Sequence, residues 1–526
     1  MLNTVFAMWS WWWGGSNEKD ELSRATLTAL VSIFSVLVWL LWAAKKSRKV
    51  MPPLPPGPRG LPIVGYLPFL AGRGLWPYLQ GLLGQKLCVV VNSPSLVKEV
   101  VRDQDTIFAN RDPPTAALIA SFGGIDIPFS AYGPDWRTLR KIFVKQLLSN
   151  ANLNNSYSVR NKEIKKSIRY VYDKIGTPID IGELAFMTVI NVLMNLAWGD
   201  TLQGEEGAKF SSEFKISLGE LMMLLGKPNI SDFFPVLARF DLQGIEKQTM
   251  KISQWLGDIH ESAIEKRTNS DKSQEEGIGK IDRKDFLQFL LEIGKKEDGA
   301  TSLTINQVKV LLFDVVVGGA DTTTTTVEWV MMELLYHPEV MRKVYEELTE
   351  IVGLNNLVEE SHLPKLHYLD AVIKETFRLH PPLPFLIPRT PSQSTTIGGY
   401  YVPKDTRVML NVWAIHRDPK LWENPLEFQP ERFLNDPGKF DFSGNDFKYL
   451  PFGSGRRICA GTPLAERNFL YIIASFVHSF EWKLPLGTEM ESSDLFGVVT
   501  KKLKPIVAIP TPRLSNLELY TKQKRV

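Results

Sequence analysis

The chain has 526 residues, 44% hydrophobic and 23% charged, with a formal net charge of +3. That is enough apolar material for a large core, it excludes long disordered tracts, and the near-balance of charge gives no ground for nucleic-acid binding. Two cysteines, Cys88 and Cys459, exclude a disulfide framework and suit a reducing compartment, so each thiol must be core, metal ligand or nucleophile.

In chain order, residues 1–24 precede an uncharged, mainly apolar stretch from Ala25 to Ala44, about the ~20 residues a helix needs to cross a bilayer. Lys45, Lys46, Arg48 and Lys49 follow, whereas the other flank mixes Glu18, Asp20 and Glu21 with Lys19 and Arg24. Basic residues stay cytosolic, so 1–24 is expected to be luminal, 25–44 a single transmembrane anchor, and the rest cytosolic. Trp9, Trp11, Trp12 and Trp13 suit the membrane interface. A cleaved signal peptide is the competing reading, but the apolar run is too long, starts too late and has no small-residue cleavage site. Residues 45–60 form a basic, proline-rich hinge in which Pro52-Pro53-Leu54-Pro55-Pro56-Gly57-Pro58 makes a stiff spacer; an SH3-type ligand is the alternative.

One domain is expected over 61–526. Leu87 to Val91 reads as a strand and Leu96 to Val101 as a helix. Asn269 to Gly279 reads as an exposed loop. Thr301 to Tyr336 is the longest helical candidate, with a capping box at Thr304 and Gln307 and Pro338 ending it. Short strands are expected at Thr395–Val402 and Arg407–Val412. No phosphate-cradling glycine loop is visible, so no nicotinamide or flavin domain is expected on the chain.

The decisive stretch is Pro451-Phe452-Gly453-Ser454-Gly455-Arg456-Arg457-Ile458-Cys459-Ala460-Gly461. Gly453 and Gly455 permit a tight turn with φ > 0 that aims backbone N–H groups at one sulfur, and a helix N-terminus after Cys459 also lowers the thiol pKa. Phe452 can shield that sulfur. A lone buried cysteine is normally inert core, but here Phe452, Gly455, Arg457, Cys459 and Gly461 all match the pattern F-x-x-G-x-R-x-C-x-G. The loop resembles the haem-binding loop of the cytochrome P-450 family. That resemblance implies a mainly α fold with small β-sheets, haem b lying between a long central helix and the loop, Cys459 as the axial iron ligand, and Arg457 on a haem carboxylate.

Further motifs are similar to those of the family. In Gly318-Gly319-Ala320-Asp321-Thr322-Thr323 the glycines thin the long helix, and the resemblance gives Asp321 and Thr322 the proton relay. The bland reading of this stretch is a helix kink whose hydroxyls bond backbone carbonyls. Glu375 and Arg378 share a helix face at i, i+3; by themselves they are an ordinary ion pair, and the resemblance adds Arg432 of Pro430-Glu431-Arg432-Phe433 as the third member of a structural network. Trp136, Arg140 and Arg389 are implied propionate contacts, although Trp136 alone would read as core. Arg137, Lys141 and Lys145 form a basic stripe that is either a solvated face or a dock for an acidic reductase domain. The resemblance runs from the proline hinge to about Pro512 and is nearest the plant microsomal branch, whose sesquiterpene hydroxylases include that for cotton δ-cadinene.

The activity implied by the resemblance is that of an O₂-dependent monooxygenase in the endoplasmic reticulum membrane, using NADPH only indirectly through NADPH-cytochrome P-450 reductase. Its implied substrate contacts lie in Ala116 to Ile119, Phe122, Met222 to Leu225, Val315 to Gly318, Leu383 to Ile387 and Leu495 to Val499, with Ala116, Ile119, Phe122, Met223, Val316, Gly319, Phe385 and Phe496 singled out. This set is overwhelmingly apolar and favours a small apolar substrate, a sesquiterpene first and a flavonoid or other phenolic second. Two rival classes stand beside it. A haem-thiolate isomerase or dehydratase is disfavoured by Asp321-Thr322. An inactive product would result from one departure: Ala71 to Gln85 is shorter than the family's segment, lacks its Tyr-Gly-Pro turn, and reads as missing a strand of the N-terminal sheet.

Overall fold

The computed structural model describes residues 29–34, 36, 52–55, 81–83, 86–199, 204–274, 285–295, 303–435, 438, 440–489, 491, 493–495 and 497–521. In the anchor candidate, 29–34 and 36 are helical and their apolar side chains, Leu30 to Phe34 among them, are exposed. The rest of 25–44, and most of the hinge, lie outside the described residues.

The body opens with strands β1 (Gly81–Leu83) and β2 (Lys86–Val91), joined antiparallel. The shortened Ala71–Gln85 segment therefore does carry a strand, which corrects the expectation of a missing one; the remainder of that segment, 71–80 and 84–85, is outside the described residues. Helix α1 (Pro94–Lys98) continues as a π turn through Asp103, as the Leu96–Val101 pattern anticipated. The longer helices then follow: α2 (Thr115–Ala120), α3 (Pro134–Ile142) and α4 (Tyr157–Tyr172). Strand β3 (Ile179–Asp180) leads directly into α5 (Ile181–Trp198), capped by the Asp180 carboxylate on the Glu183 amide. After it come α6 (Gly204–Gly226), α7 (Ile245–Gln274) and α8 (Phe286–Gly294). The 269–274 part of the expected loop is helical, the last turns of α7. Residues 275–279 lie outside the described residues.

The central helix α9 (Ile305–Tyr336) begins with the expected box: Gln307 N donates to Thr304 Oγ1 at 3.2 Å and Thr304 N to Gln307 Oε1 at 2.9 Å. Pro338, which cannot continue the hydrogen-bond ladder, starts α10 (Pro338–Ile351), and α11 (His367–Leu379) follows. Strands β4 (Thr395–Ile397), β5 (Tyr400–Val402) and β6 (Arg407–Leu410) come next. The expected strand to Val412 stops at Leu410 because Asn411 caps a helical turn, its side chain accepting from Ala414 N at 3.1 Å. After α12 (Thr462–Ser479) come β7 (Phe480–Lys483), β8 (Asp494–Leu495), β9 (Lys501–Lys502) and β10 (Val507–Pro512). Small sheets in the order β1-β2-β6 and β3-β10-β7, and the pair β8-β9, sit beside the helices.

Helices α5 and α9 are apolar on nearly every side and pack against each other and α12 in the main core. Both are long and apolar enough to cross a membrane, yet both are mostly buried. A helix apolar all round is buried somewhere, and here the protein's own core provides the burial. Cys88 is core, packed with Phe233.

A buried histidine makes the fold acid-sensitive. His416 Nε2 accepts from Leu450 N at 2.9 Å, and burial, helped by Arg378 and Arg417, pulls its pKa down to about 3. The unfolded chain takes up this proton near pH 6.5 while the native chain does not, so stability falls as pH drops from there toward about 3. The expected loss is on the order of 1 kcal/mol per pH unit from this one group. Urea unfolding at pH 7 and pH 5 should show a smaller decline in His416→Gln than in the parent.

Candidate active site

The Cys459 loop closes one end of a large internal cavity whose opposite wall is α9. Gly453 and Gly455 take φ of 76° and 69°, as the turn requires. Gly455 is also held by space, since a Cβ there would come within 2.4 Å of the Val101 carbonyl oxygen. Cys459 N donates to Phe452 O at 3.0 Å, which folds the loop back on itself and presents the thiol to the cavity. The thiol lies deep in the molecule but is accessible, and Cys459 lines the cavity. Burial pushes its pKa up, while the Gly461 and Thr462 amides, the Thr462 hydroxyl and Arg140 pull it down. Those amides are those of the N-cap, Gly461, and of the first residue of α12, Thr462, so the helix N-terminus points at the sulfur as its sequence position implied. Phe452 sits beside it, its ring 5.3 Å from Phe377 and 5.1 Å from Phe442.

Four guanidiniums converge on the cavity: Arg111, Arg140, Arg389 and Arg457. Burial lowers the pKa of all four, Arg389 to about 10 and Arg457 to about 9, and mutual repulsion adds to the effect on Arg111 and Arg457. Each spends donors on backbone carbonyls. Arg457 reaches Ala109, Ile127 and Ser130, Arg140 reaches Ile458 at 2.7 Å, and Arg389 reaches Ser454 at 2.6 Å. Arg389 Nη1 is buried without a hydrogen-bond partner, and the nearest carboxylate, Asp105, is 3.7 Å away and also paired with Arg456. Buried cations in excess of carboxylates call for an anionic occupant. A flat group carrying two carboxylates, held by a thiolate on one face, meets that need, so the residues fit haem.

Trp136 is placed differently from what the resemblance implied. It is buried and off the cavity wall, its Nε1 donates to Ile127 O at 3.0 Å, and Arg457 and Arg140 lie 4.3 and 5.5 Å from its ring centroid. It orients the arginines.

On α9, Gly318, Gly319, Asp321 and Thr322 all line the cavity. A Cβ on Gly318 would meet nothing within 4 Å, whereas one on Gly319 would touch Leu193 at 3.0 Å. Thr322 Oγ1 donates to Gly318 O and Thr326 Oγ1 to Thr322 O, both at 2.9 Å, while α9 remains α-helical throughout. Glu375, Arg378 and Arg432 form the expected network behind the loop, with Arg378–Glu375 at 2.7 Å and Arg432–Glu375 at 3.0 Å.

Of the expected substrate contacts, Gly319 lines this cavity. Met223 lines a second, outer pocket, while its neighbour Met222 reaches both. Ala116 and Val316 are buried in the core, and neither they nor Ile119, Phe122 and Phe385 are on the wall; Phe496 is outside the described residues. Within the expected segments Met222, Val315, Val317, Leu383 and Ile387 do line the wall, and Ala120 joins them from outside those segments; along a helix one residue turns a side chain by about 100°, which parts Val315 from Val316. Arg111, Asp126 and Asp314 also line the wall and were not anticipated. Ile127 N donates to Asp314 Oδ2 at 3.0 Å, and burial, with Asp126 nearby, raises Asp314 well above the usual carboxylate range. Burial likewise brings Asp126 up to about 7, against its amide partners Phe129 and Ser130 and the charges of Arg111 and Arg457. A single carboxylate inside the apolar run Val310 to Val317 was the available signal, since such groups are rarely buried without a task.

The family description Cytochrome P450 matches residues 55–509. The chain belongs to the cytochrome P450 family. It is 37% identical to a flavonoid 3',5'-hydroxylase of Solanum melongena, covering 87% of this chain and 90% of that one. It is 36% identical to a ferruginol synthase of Salvia fruticosa, covering 82% and 87%. A solved zebrafish cytochrome P450 with progesterone superposes with a TM-score of 0.69 at 26% identity, covering 82% and 95%. The protein is a plant-type haem-thiolate monooxygenase of plant specialised metabolites, and electrons reach its haem from a reductase.

Proposed function

We propose that this P450 hydroxylates a small, largely apolar terpenoid, with a sesquiterpene of the δ-cadinene kind as the first candidate. The observation that carries the reading is the wall above Cys459, where Leu193, Phe313, Val315, Leu383 and Ile387 offer shape and almost no hydrogen bonding. Relatives named for ferruginol and carnosic acid support a terpenoid. A flavonoid is the second reading, favoured by Asp126 and Asp314 on the wall and by the relative named for flavonoids.

Bound through Cys459 and the four arginines, haem supplies the oxygen-activating chemistry. The chain's own part is to offer the sulfur the Gly461 and Thr462 amides, to shield it with Phe452, and to hand protons into the cavity from Asp321 and Thr322. Electrons come from NADPH-cytochrome P450 reductase, for which the exposed Arg137, Lys141 and Lys145 form the docking stripe. Residues 25–44 anchor the enzyme in the endoplasmic reticulum membrane, with the body in the cytosol.

Microsomes carrying the full chain and a plant reductase test this with δ-cadinene and the flavanone naringenin. An oxygenated product from δ-cadinene that requires NADPH is expected. A product from naringenin alone would transfer the proposal to flavonoids, and conversion without NADPH would favour an isomerase. Absence of a thiolate-type carbon-monoxide band would mean that the chain is an inactive product.

A further inference from the structure

A second pocket opens between α6 and the β8–β9 pair, lined by Lys215, Glu220, Leu495 and Lys501, with Glu183 of α5 at its edge. Met222 and Val499 line both this pocket and the Cys459 cavity, so one layer of side chains separates the two spaces. Lys501 crosses that layer. Its Nζ lies 2.5 Å from Asp321 Oδ1; the lysine side chain is 24% exposed and the aspartate 7%. Asp321 Oδ2 is buried with no hydrogen-bond partner, although the residue lines the Cys459 cavity. A buried carboxylate with one oxygen on a solvent-reaching ammonium and the other unused is an expensive arrangement for stability alone.

We propose that Lys501 is a positioning residue that connects Asp321 to solvent and sets the route by which protons enter the cavity. Each proton that Asp321 releases into the cavity is replaced by a solvent proton from the outer pocket, passed through water that the Lys501 cation holds at the carboxyl while itself staying protonated, so charge and protons balance. Lys215, from α6, adds a second positive charge that acts on Asp321. Burial raises the carboxyl's pKa on balance, and the two lysines pull it back in part. This inference rests on Asp321 being the acid of the proposed reaction.

The test uses the full chain in detergent, with carbon-monoxide spectra as the check on folding. Infrared difference spectra against Asp321→Asn isolate the protonated Asp321 band at mildly acid pH, and transfer into D₂O times its exchange. The parent band should shift at once, Lys501→Met should slow the shift at least about tenfold, and Lys501→Arg should restore it. With δ-cadinene and reductase, product formed per NADPH consumed should fall about tenfold in Lys501→Met and recover in Lys501→Arg. Exchange and product yield in Lys501→Met equal to the parent's would overturn the role of Lys501 while leaving Asp321 as the acid, provided Asp321→Asn still loses turnover. Full turnover in Asp321→Asn would instead remove the acid itself. Should Lys501→Met fail to fold, a parent band that does not exchange within minutes sinks the proposal, and prompt exchange shared by Lys501→Arg supports it.

Discussion

Cys459→Ser is expected to give a folded protein that has lost the thiolate-type carbon-monoxide band and at least about a thousandfold of its monooxygenase turnover, the scale on which loss of an essential catalytic group acts. The fold should survive because the Cys459 side chain supports little packing and is accessible from the cavity. The Gly461 and Thr462 amides that face the sulfur can be met by a serine hydroxyl. What serine cannot supply is a polarizable anion that pushes electron density onto iron. The four arginines remain, so haem should still be retained in part, with the spectrum of a neutral ligand. Absorbance after reduction under carbon monoxide, with haem content measured on the same sample, checks both halves. A mutant that kept the thiolate band would place another ligand on the iron and undo the assignment of Cys459.

The second large effect concerns stability. Glu375→Ala should cost about 3–5 kcal/mol, because it removes the one carboxylate of a buried network and leaves its cations behind. Arg378 and Glu375 have no exposed side-chain surface, and Glu375 Oε1 accepts from Arg378, Arg432 and the Gln429 amide at 2.8–3.0 Å. Arg378 has further bonds to the carbonyls of His416, Pro425 and Glu427, which fix its position and prevent it from swinging out to water when Glu375 is lost. Its guanidinium also lies 5.4 Å from the Trp422 ring centroid. The network ties α11 to the Pro430–Phe433 turn and so braces the wall behind Phe377 and Phe452. The temperature at which the thiolate band disappears should therefore fall by several degrees in Glu375→Ala, and less in Glu375→Gln, which keeps the hydrogen bonds and loses the charge. An unchanged temperature in the alanine variant would show that the network carries no stability.

The sequence alone was sufficient wherever chemistry depends on a short run of residues. The loop from Phe452 to Gly461 defines its own turn through two glycines, so Cys459 and its helix N-terminus were legible at once, and the family resemblance that the loop carries implied the fold class. The same holds for the capping box at Thr304 and Gln307, and for the resemblance that joined Arg432 to Glu375 and Arg378. Long-range placement was not legible. The expected segments include wall residues such as Met222 and Val315, but which member of each segment faces the cavity depends on how the helix is turned when it packs, since one residue turns a side chain by about 100°. Arg111 joins the other three guanidiniums only because distant segments fold onto one another, and Trp136 proved to orient Arg457 because its N–H meets the Ile127 carbonyl. Lys501 is 180 positions from Asp321 in sequence, and only the strand that carries it past α9 brings the ammonium to the carboxylate. Local patterns fix the ligand and the turn because they act through neighbouring backbone; charge pairing and cavity shape are sums over contacts remote in sequence, which only the tertiary structure decides.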